Sequence, residues 1–430
     1  MTQRAVARPD EARPSVVVIG TVAANTGDAA LLEAELATIE RAIRTPRVTV
    51  FDQDPDQWRF ADVAVHPMLT RPHKHRRPRT WHRVAWLTRL ARLLIASRVW
   101  RDGKNRLGRC LVRAEDDRRA LELYGEASVA FTPGGTMLVD QYTVLPRLVD
   151  CRIAIALGCR LVIFTQTIGS FSHRLERRLG RSVFPDADLV LVRGDASRAA
   201  ALALGARAER VVVAPDPVFL FARPVRDRHR RNRVAISVRE WPFFRDIDPR
   251  DGQRRYQAAI AQLCEHLVTE HDVDVIFVST CQGIPGYAYD DSEVAARIVA
   301  AVAEPVASRV LVDHTHHDPD ALGAVLESVD LVVATRLHAA LIALCRGTPC
   351  VAISYEAKTE EVFERLGAPE LTIGIEGLES SALCALVDHA LTAPAHHWAP
   401  LFAAVERERE AAEGVATIVR DTLAKGAPAV

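Results

Sequence analysis

Short apolar runs rich in Val, Ile and Leu recur along the chain at 15–20, 47–51, 127–131, 160–164, 188–192 and 210–214. A strand with one wet face alternates apolar with polar, so uninterrupted runs of this kind predict strands covered on both sides. Between them lie Ala/Leu/Arg/Glu segments at helical spacing, such as 28–44 and 196–204. Alternating strands and helices predict an α/β fold with a parallel sheet. The pattern then restarts. A polar, charge-dense stretch, 223–233, is the expected linker, and further runs follow at 233–238, 274–279, 309–312, 330–334 and 349–354. We therefore expect two tandem Rossmann-like doubly wound domains, 1–228 and 229–430, with an interdomain cleft at the carboxyl ends of the strands. The helical segment 401–423 is expected to pack back on the first domain.

Several strand ends carry polar or glycine-rich turns. The first runs into Gly20-Thr-Val-Ala-Ala-Asn25-Thr-Gly27-Asp28 and a helix, whose N-terminal amides are expected to meet an anion unless Asp28 simply caps it. This turn lacks the Gly-x-Gly-x-x-Gly of a dinucleotide site and the Gly-Lys-Ser/Thr of a P-loop. Gly134-Gly135 follows the third run, Gln166 and Gly169 the fourth, and Arg193-Gly-Asp195 with Ser197 the fifth; Ser197 is a candidate helix cap. Pro215-Asp216-Pro217 holds a carboxylate in a stiff turn. In the second set, Arg336 and His338 interrupt a Leu/Val/Ala run. A buried guanidinium needs an anion nearby, either a ligand or a structural Asp partner. Tyr355-Glu-Ala-Lys358 ends the last strand.

Charge changes the picture only locally. Lys+Arg and Asp+Glu balance at 55 each, which disfavours a generic nucleic-acid binder, as does the lack of a recognition motif. Lysine occurs only at Lys74, Lys104, Lys358 and Lys425, so Lys358 stands out beside a sheet edge. The 8 cysteines show no Cys-x-x-Cys pair and read as small buried hydrophobes of a reducing compartment. No metal is expected: His314, His316 and His317 are adjacent on a loop, without the spaced companions of a closed site, and are expected to be solvated.

Taken in order, Asn25-Thr-Gly-Asp28, Gly134-Gly135 with Asp140, Gln166-Thr-Ile-Gly169, Arg193-Gly-Asp195 with Ser197, Pro215-Asp216-Pro217, Thr335-Arg-Leu-His338 and Tyr355-Glu-Ala-Lys358 resemble the polysaccharide pyruvyl transferase family. Relatives often have three glycines where this chain has Pro133-Gly134-Gly135, and Gly194 falls where they often differ. The resemblance implies a two-domain fold of the glycosyltransferase B type. It also implies transfer of pyruvate from phosphoenolpyruvate, as co-substrate and with no cofactor, to saccharide hydroxyls as a ketal. On that chemistry Arg193 and Arg336 are expected to meet the doubly anionic donor, His338 to protonate its methylene carbon, and Lys358 to assist phosphate departure, with His173 a second proton carrier. Asn25, Asp28, Gly134, Gly135, Gln166, Ser197, Asp216 and Tyr355 complete the expected substrate site. Different classes stay open beside it: a nucleotide-sugar glycosyltransferase, or a non-catalytic sugar- or anion-binding relative.

Between Arg71 and Arg109 lie 13 Arg or Lys and one acid, Asp102. There Trp81, Trp86 and Trp100 mix with Leu, Ile and Arg at helix-compatible spacing. An amphipathic helix on an anionic membrane and a core helix with a wet Arg face are equal readings, the first implying a lipid-linked acceptor. With no signal-peptide core and no membrane span expected, the chain reads as cytoplasmic, peripheral to the inner membrane face on the first reading. Homo-oligomerisation is left open.

Overall fold

In a computed structural model of the chain, residues 13–58, 60, 62–70, 80–100, 106–112, 114–224, 230–282 and 290–425 are described. They form two compact units, neither of them a continuous piece of chain. The first runs up to Ala23, resumes over Glu35–Ala214 and takes the residues from Glu413 onward; the second takes Ala24–Ala34 and Pro215–Ala412. Part of the expected linker, 225–229, lies outside the described residues, as do 71–79 and 101–105 of the basic segment and 1–12.

The first unit is built on β1 (Ser15–Thr21), β2 (Arg47–Asp52), β3 (Ala64–Pro67), β4 (Val129–Thr132), β5 (Gly135–Leu138), β6 (Arg160–Ile168), β7 (Leu189–Val192) and β8 (Val211–Val213). Its order is β3-β2-β1-β4-β6-β7-β8, with β5 alongside β6 and every pairing parallel. The apolar runs form these strands because both faces are covered: Val16, Val17, Val18 and Ile19 are at most 2% exposed. At roughly 1.5–3 kcal/mol per fully buried aliphatic side chain, such runs supply much of the drive for folding. The register between β6 and β7 slips between Ile163 and Gln166, where Thr165 adopts a φ of 37°, and this bulge re-aims Gln166. The helix Ala399–Ala424 ends in this unit, where Arg160 donates to the Thr422 carbonyl at 2.9 Å and to the Leu423 carbonyl. These are carbonyls that a helix end leaves without internal partners.

The second unit carries β9 (Arg233–Ser237), β10 (Asp274–Val278), β11 (Val310–Val312), β12 (Leu331–Ala334), β13 (Cys350–Ser354) and β14 (Thr372–Gly374), all parallel in the order β11-β10-β9-β12-β13-β14. The order reverses between β9 and β12. Loops leaving these two neighbours in opposite directions open a crevice at their carboxyl ends, where such sheets bind ligands. The helix Pro249–His271 covers one face with Tyr256, Ile260, Leu263 and Leu267, a stripe at helical spacing.

Both sheets are of the expected doubly wound α/β class. β3, β5 and β14, each 3 or 4 residues long, were not expected. β5 grows directly out of the Gly134-Gly135 turn. All 8 cysteines are free; Cys110 is exposed and Cys384 partly so, and the other six are buried. Among the described residues no helix is long and apolar enough to cross a membrane.

Candidate functional site

At the switch point of the second unit the chain leaves β9 through Arg239, only 5% exposed. Its guanidinium carbon lies 4.2 Å from the Tyr355 ring centre and 5.0 Å from that of Trp241, the two rings being 4.6 Å apart. A desolvated cation on aromatic faces gains about 1–2 kcal/mol, less than its burial costs without a counter-ion. Its Nε donates to the Glu240 carbonyl at 3.3 Å. Among the described residues no salt bridge holds Arg239; its charge reaches the buried Asp291, where it opposes the effect of burial on that carboxyl. Lys358 sits 5.4 Å from the same Tyr355 ring, its ammonium 2.7 Å from Glu356. Burial would raise the Tyr355 phenol, but Lys358 and Arg239 outweigh it and hold the phenol below its ordinary value.

Arg336 follows β12 and is differently occupied. Its Nε and Nη2 grip Asp291, itself 0% exposed, at 3.0 and 2.5 Å. The counter-ion that burial demands is therefore the structural one, and only Nη1 remains for a ligand. Against the effect of burial, Asp291 raises the Arg336 pKa well above normal. Thr335 is likewise engaged, its hydroxyl 2.7 Å from the Tyr256 hydroxyl and its amide on the Ser237 carbonyl.

His338 opens the helix Leu337–Cys345. Its Nε2 lies 3.9 Å from Asp216 Oδ2, while Asp216 Oδ1 accepts the Val218 amide at 3.1 Å. The capped turn thus aims a buried carboxylate at the imidazole. The other ring nitrogen lies against Gly27, where a Cβ would come within 2.7 Å of Nδ1. Only glycine fits there. The Gly27 loop is fixed by the histidine loop: His316 Nε2 meets the Ala24 carbonyl at 2.9 Å, and Thr26 Oγ1 donates to the His317 carbonyl at 2.8 Å. His317 in turn bonds Asp313 at 2.6 Å. That loop was expected to be solvated; it is an anchor.

The expected anion seat on the helix Thr26–Ala42 is not there. The Thr26 amide bonds the Thr280 carbonyl at 2.9 Å, Asn25 Oδ1 takes the Gly27 and Asp28 amides at 2.9 and 3.3 Å, and the Asn25 carbonyl takes Ala29 at 2.8 Å. Asn25 is the cap, and Asp28 lies inside the helix. Two further expectations change in the first unit. Gln166, 0% exposed, accepts the Met137 amide at 3.0 Å and donates to the Pro133 carbonyl, so both its ends staple the glycine turn. Ser197 does not cap its helix but accepts the Ile168 amide at 3.1 Å. Arg193 is buried at the end of β7, whereas Asp195 and His173 are exposed. Asp140 receives the Ser172 amide at 3.0 Å. Beneath Gly134, burial raises the Glu35 carboxyl well above the carboxylate range, opposed by the Gly134 amide.

Thus the structure brings His338, Asp216 and Gly27 together, and Tyr355 and Lys358 with Arg239. The sequence reading missed Arg239, Trp241, Asp291 and Glu35. Arg239 carried the same signal as Arg193, a cation directly after an apolar run.

The comparison that decides the family is a match of residues 25–357 to the polysaccharide pyruvyl transferase model. The chain belongs to that family. It is 28% identical over 287 residues to the amylovoran biosynthesis protein AmsJ of Erwinia amylovora, an alignment covering 64% of this chain and 68% of AmsJ. Among solved structures it is similar to Anabaena Alr3699/HepE in complex with UDP, with TM-score 0.52, 14% identity, and coverage of 96% of this chain and 98% of that one. It is also similar to a putative UDP-N-acetylglucosamine 2-epimerase of Listeria monocytogenes, with TM-score 0.56, 12% identity, and coverage of 97% and 98%. These structural likenesses show the glycosyltransferase-B-like fold alone. Family membership makes the chain a transferase of polysaccharide biosynthesis.

Proposed function

We propose that the protein transfers pyruvate from phosphoenolpyruvate to two hydroxyls of a saccharide, forming a ketal and releasing inorganic phosphate. The observation that carries this reading is Arg239: a buried guanidinium on two aromatic faces at the switch point of a sheet, held by no salt bridge among the described residues. A ligand carboxylate or phosphate supplies the missing counter-ion. Lys358 lies across the same ring, and Arg336 adds Nη1. His338, with Asp216 Oδ2 3.9 Å from its Nε2, delivers a proton to the methylene carbon, and the adjacent carbon becomes electrophilic. One sugar hydroxyl adds there, the C–O bond to phosphate breaks, and the second hydroxyl closes the ketal. Of the two hydroxyl protons, one restores His338 and the other leaves with phosphate. Arg193 remains the candidate cation of the first unit.

The test is phosphate release from phosphoenolpyruvate with candidate acceptors, with the product mass read alongside, in wild type and Arg239→Gln. Acceptor-dependent release with a ketal product, and a KM for phosphoenolpyruvate raised in the variant, is the expected result. Thermal stabilisation by a nucleotide sugar and none by phosphoenolpyruvate would replace this reading with a glycosyltransferase.

A specific observation also favours membrane docking. On the helix Thr80–Val99, Val84, Leu87, Ala91 and Ile95 form one exposed apolar stripe, with Val84 59%, Leu87 44% and Ile95 53% exposed and Arg98 among them. Leu90, Leu93 and Ala96 face the core instead. An apolar stripe set in an arginine-rich segment complements an anionic lipid surface and fits a lipid-linked acceptor. Flotation with anionic vesicles should recover the protein, and Ile95→Glu should prevent it; wild type that stays behind overturns the docking.

A further inference from the structure

The histidines outside the site just described include a convergent set on the opposite edge of the second sheet. His266 and His271 lie near the end of the helix Pro249–His271, which leads into the amino end of β10, and Asp388 lies on the helix Ser380–Thr392. Nε2 of His266 stands 2.7 Å from Asp388 Oδ1 and Nε2 of His271 stands 2.6 Å from the same oxygen. The two rings meet edge to face, 5.5 Å between centres. All three ligand atoms fall within 4.8 Å of one another. For one oxygen to accept from both rings, each imidazole must carry its proton on Nε2. That puts two N–H groups on one acceptor, and among the described residues no hydrogen bond reaches the second carboxylate oxygen.

We propose that His266, His271 and Asp388 bind a divalent transition-metal ion of the zinc type, which replaces the two Nε2 protons and pins the two helices together. Two imidazoles and one carboxylate are the donor set that zinc favours over calcium or magnesium, at about 2.0–2.2 Å from the metal. Tetrahedral ligands at that radius stand about 3.3–3.4 Å apart, so each N···O contact lengthens by less than about 1 Å on binding. The side chains are 27%, 16% and 37% exposed, open enough to rotate and to leave the fourth position to water. The site joins segments 117 to 122 residues apart in sequence, at the edge away from Arg239 and His338. Its role is therefore stability, coupled to folding as metal binding to preformed ligands is.

The test uses the full chain, stripped with a chelator and dialysed, then titrated with zinc chloride alone by calorimetry and followed in thermal melts. One equimolar binding step and a rise in Tm are expected, with tetrahedral d–d absorption when cobalt(II) replaces zinc. His271→Gln and Asp388→Asn should each remove the step, while His397→Gln, whose ring meets His389 edge to face at 5.7 Å, should keep it. Should one ligand variant not fold, the other serves alone. Zinc binding that persists unchanged in a ligand variant, or a wild-type Tm indifferent to zinc in excess over protein, overturns the site.

Discussion

The strand ends of the two units look alike in sequence and behave differently in structure. In the first unit the polar residues after the apolar runs turn inward: Gln166 staples the glycine turn, and Ser197 holds the Ile168 amide. In the second unit, Arg239 and Lys358 keep charge at the sheet edge on the Tyr355 ring, and His338 is aimed by Asp216. Residue type at a strand end does not separate scaffold from site. What separates them is the partner: backbone amides and carbonyls in the first unit, aromatic rings and carboxylates in the second.

Substitutions sharpen that contrast. The largest effect is expected for His338→Ala, which should lower turnover by about 10²–10⁴-fold while phosphoenolpyruvate still stabilises the protein. Near-normal ketal formation in the variant would remove the histidine from the mechanism. Next comes Asp291→Asn, which strands the buried Arg336 and should destabilise the second unit by about 3–5 kcal/mol in denaturant melts. A shift below about 1 kcal/mol would mean that the pair contributes nothing net. Gln166→Leu should cost about 1–3 kcal/mol by orphaning the Met137 amide, with KM for phosphoenolpyruvate unchanged. A raised KM without loss of stability would return Gln166 to the substrate site and break the comparison.

A further effect is one of pH. Burial pushes the Asp150 carboxyl from 3.8 to about 7. Between those values the folded chain holds a proton that the unfolded chain has lost, so stability falls as pH rises through the window and levels off above it. Asp150→Asn should flatten this slope in melts at a series of pH values. An identical slope in the variant would mean that Asp150 is ionised in the folded state.

The sheets were legible because their strands are buried on both faces, which leaves runs such as Val16–Ile19 with no alternation to misread. β3, β5 and β14 are too short and too polar to carry that signal. His338 and Lys358 were legible as exceptions in their surroundings. Asp291 was not, because at a helix start it reads as a cap, a task that Asp290 performs. Arg239 was visible in principle, yet its meaning rests on Trp241 and on Tyr355, which is distant in sequence. The metal-type cluster was invisible for the same reason, since its ligands share no local spacing.

The split membership of the chain bears on how the protein is made. The second unit needs the early segment Ala24–Ala34, whose Gly27 lies against His338, and the first unit needs the residues from Glu413 onward. On the ribosome neither unit can finish folding until residues near 412–424 have emerged, so the early strands of the first unit wait for the helix that ends beside Arg160. Expressing either half alone should yield an unfinished core, and the nascent chain is a natural client for holding chaperones.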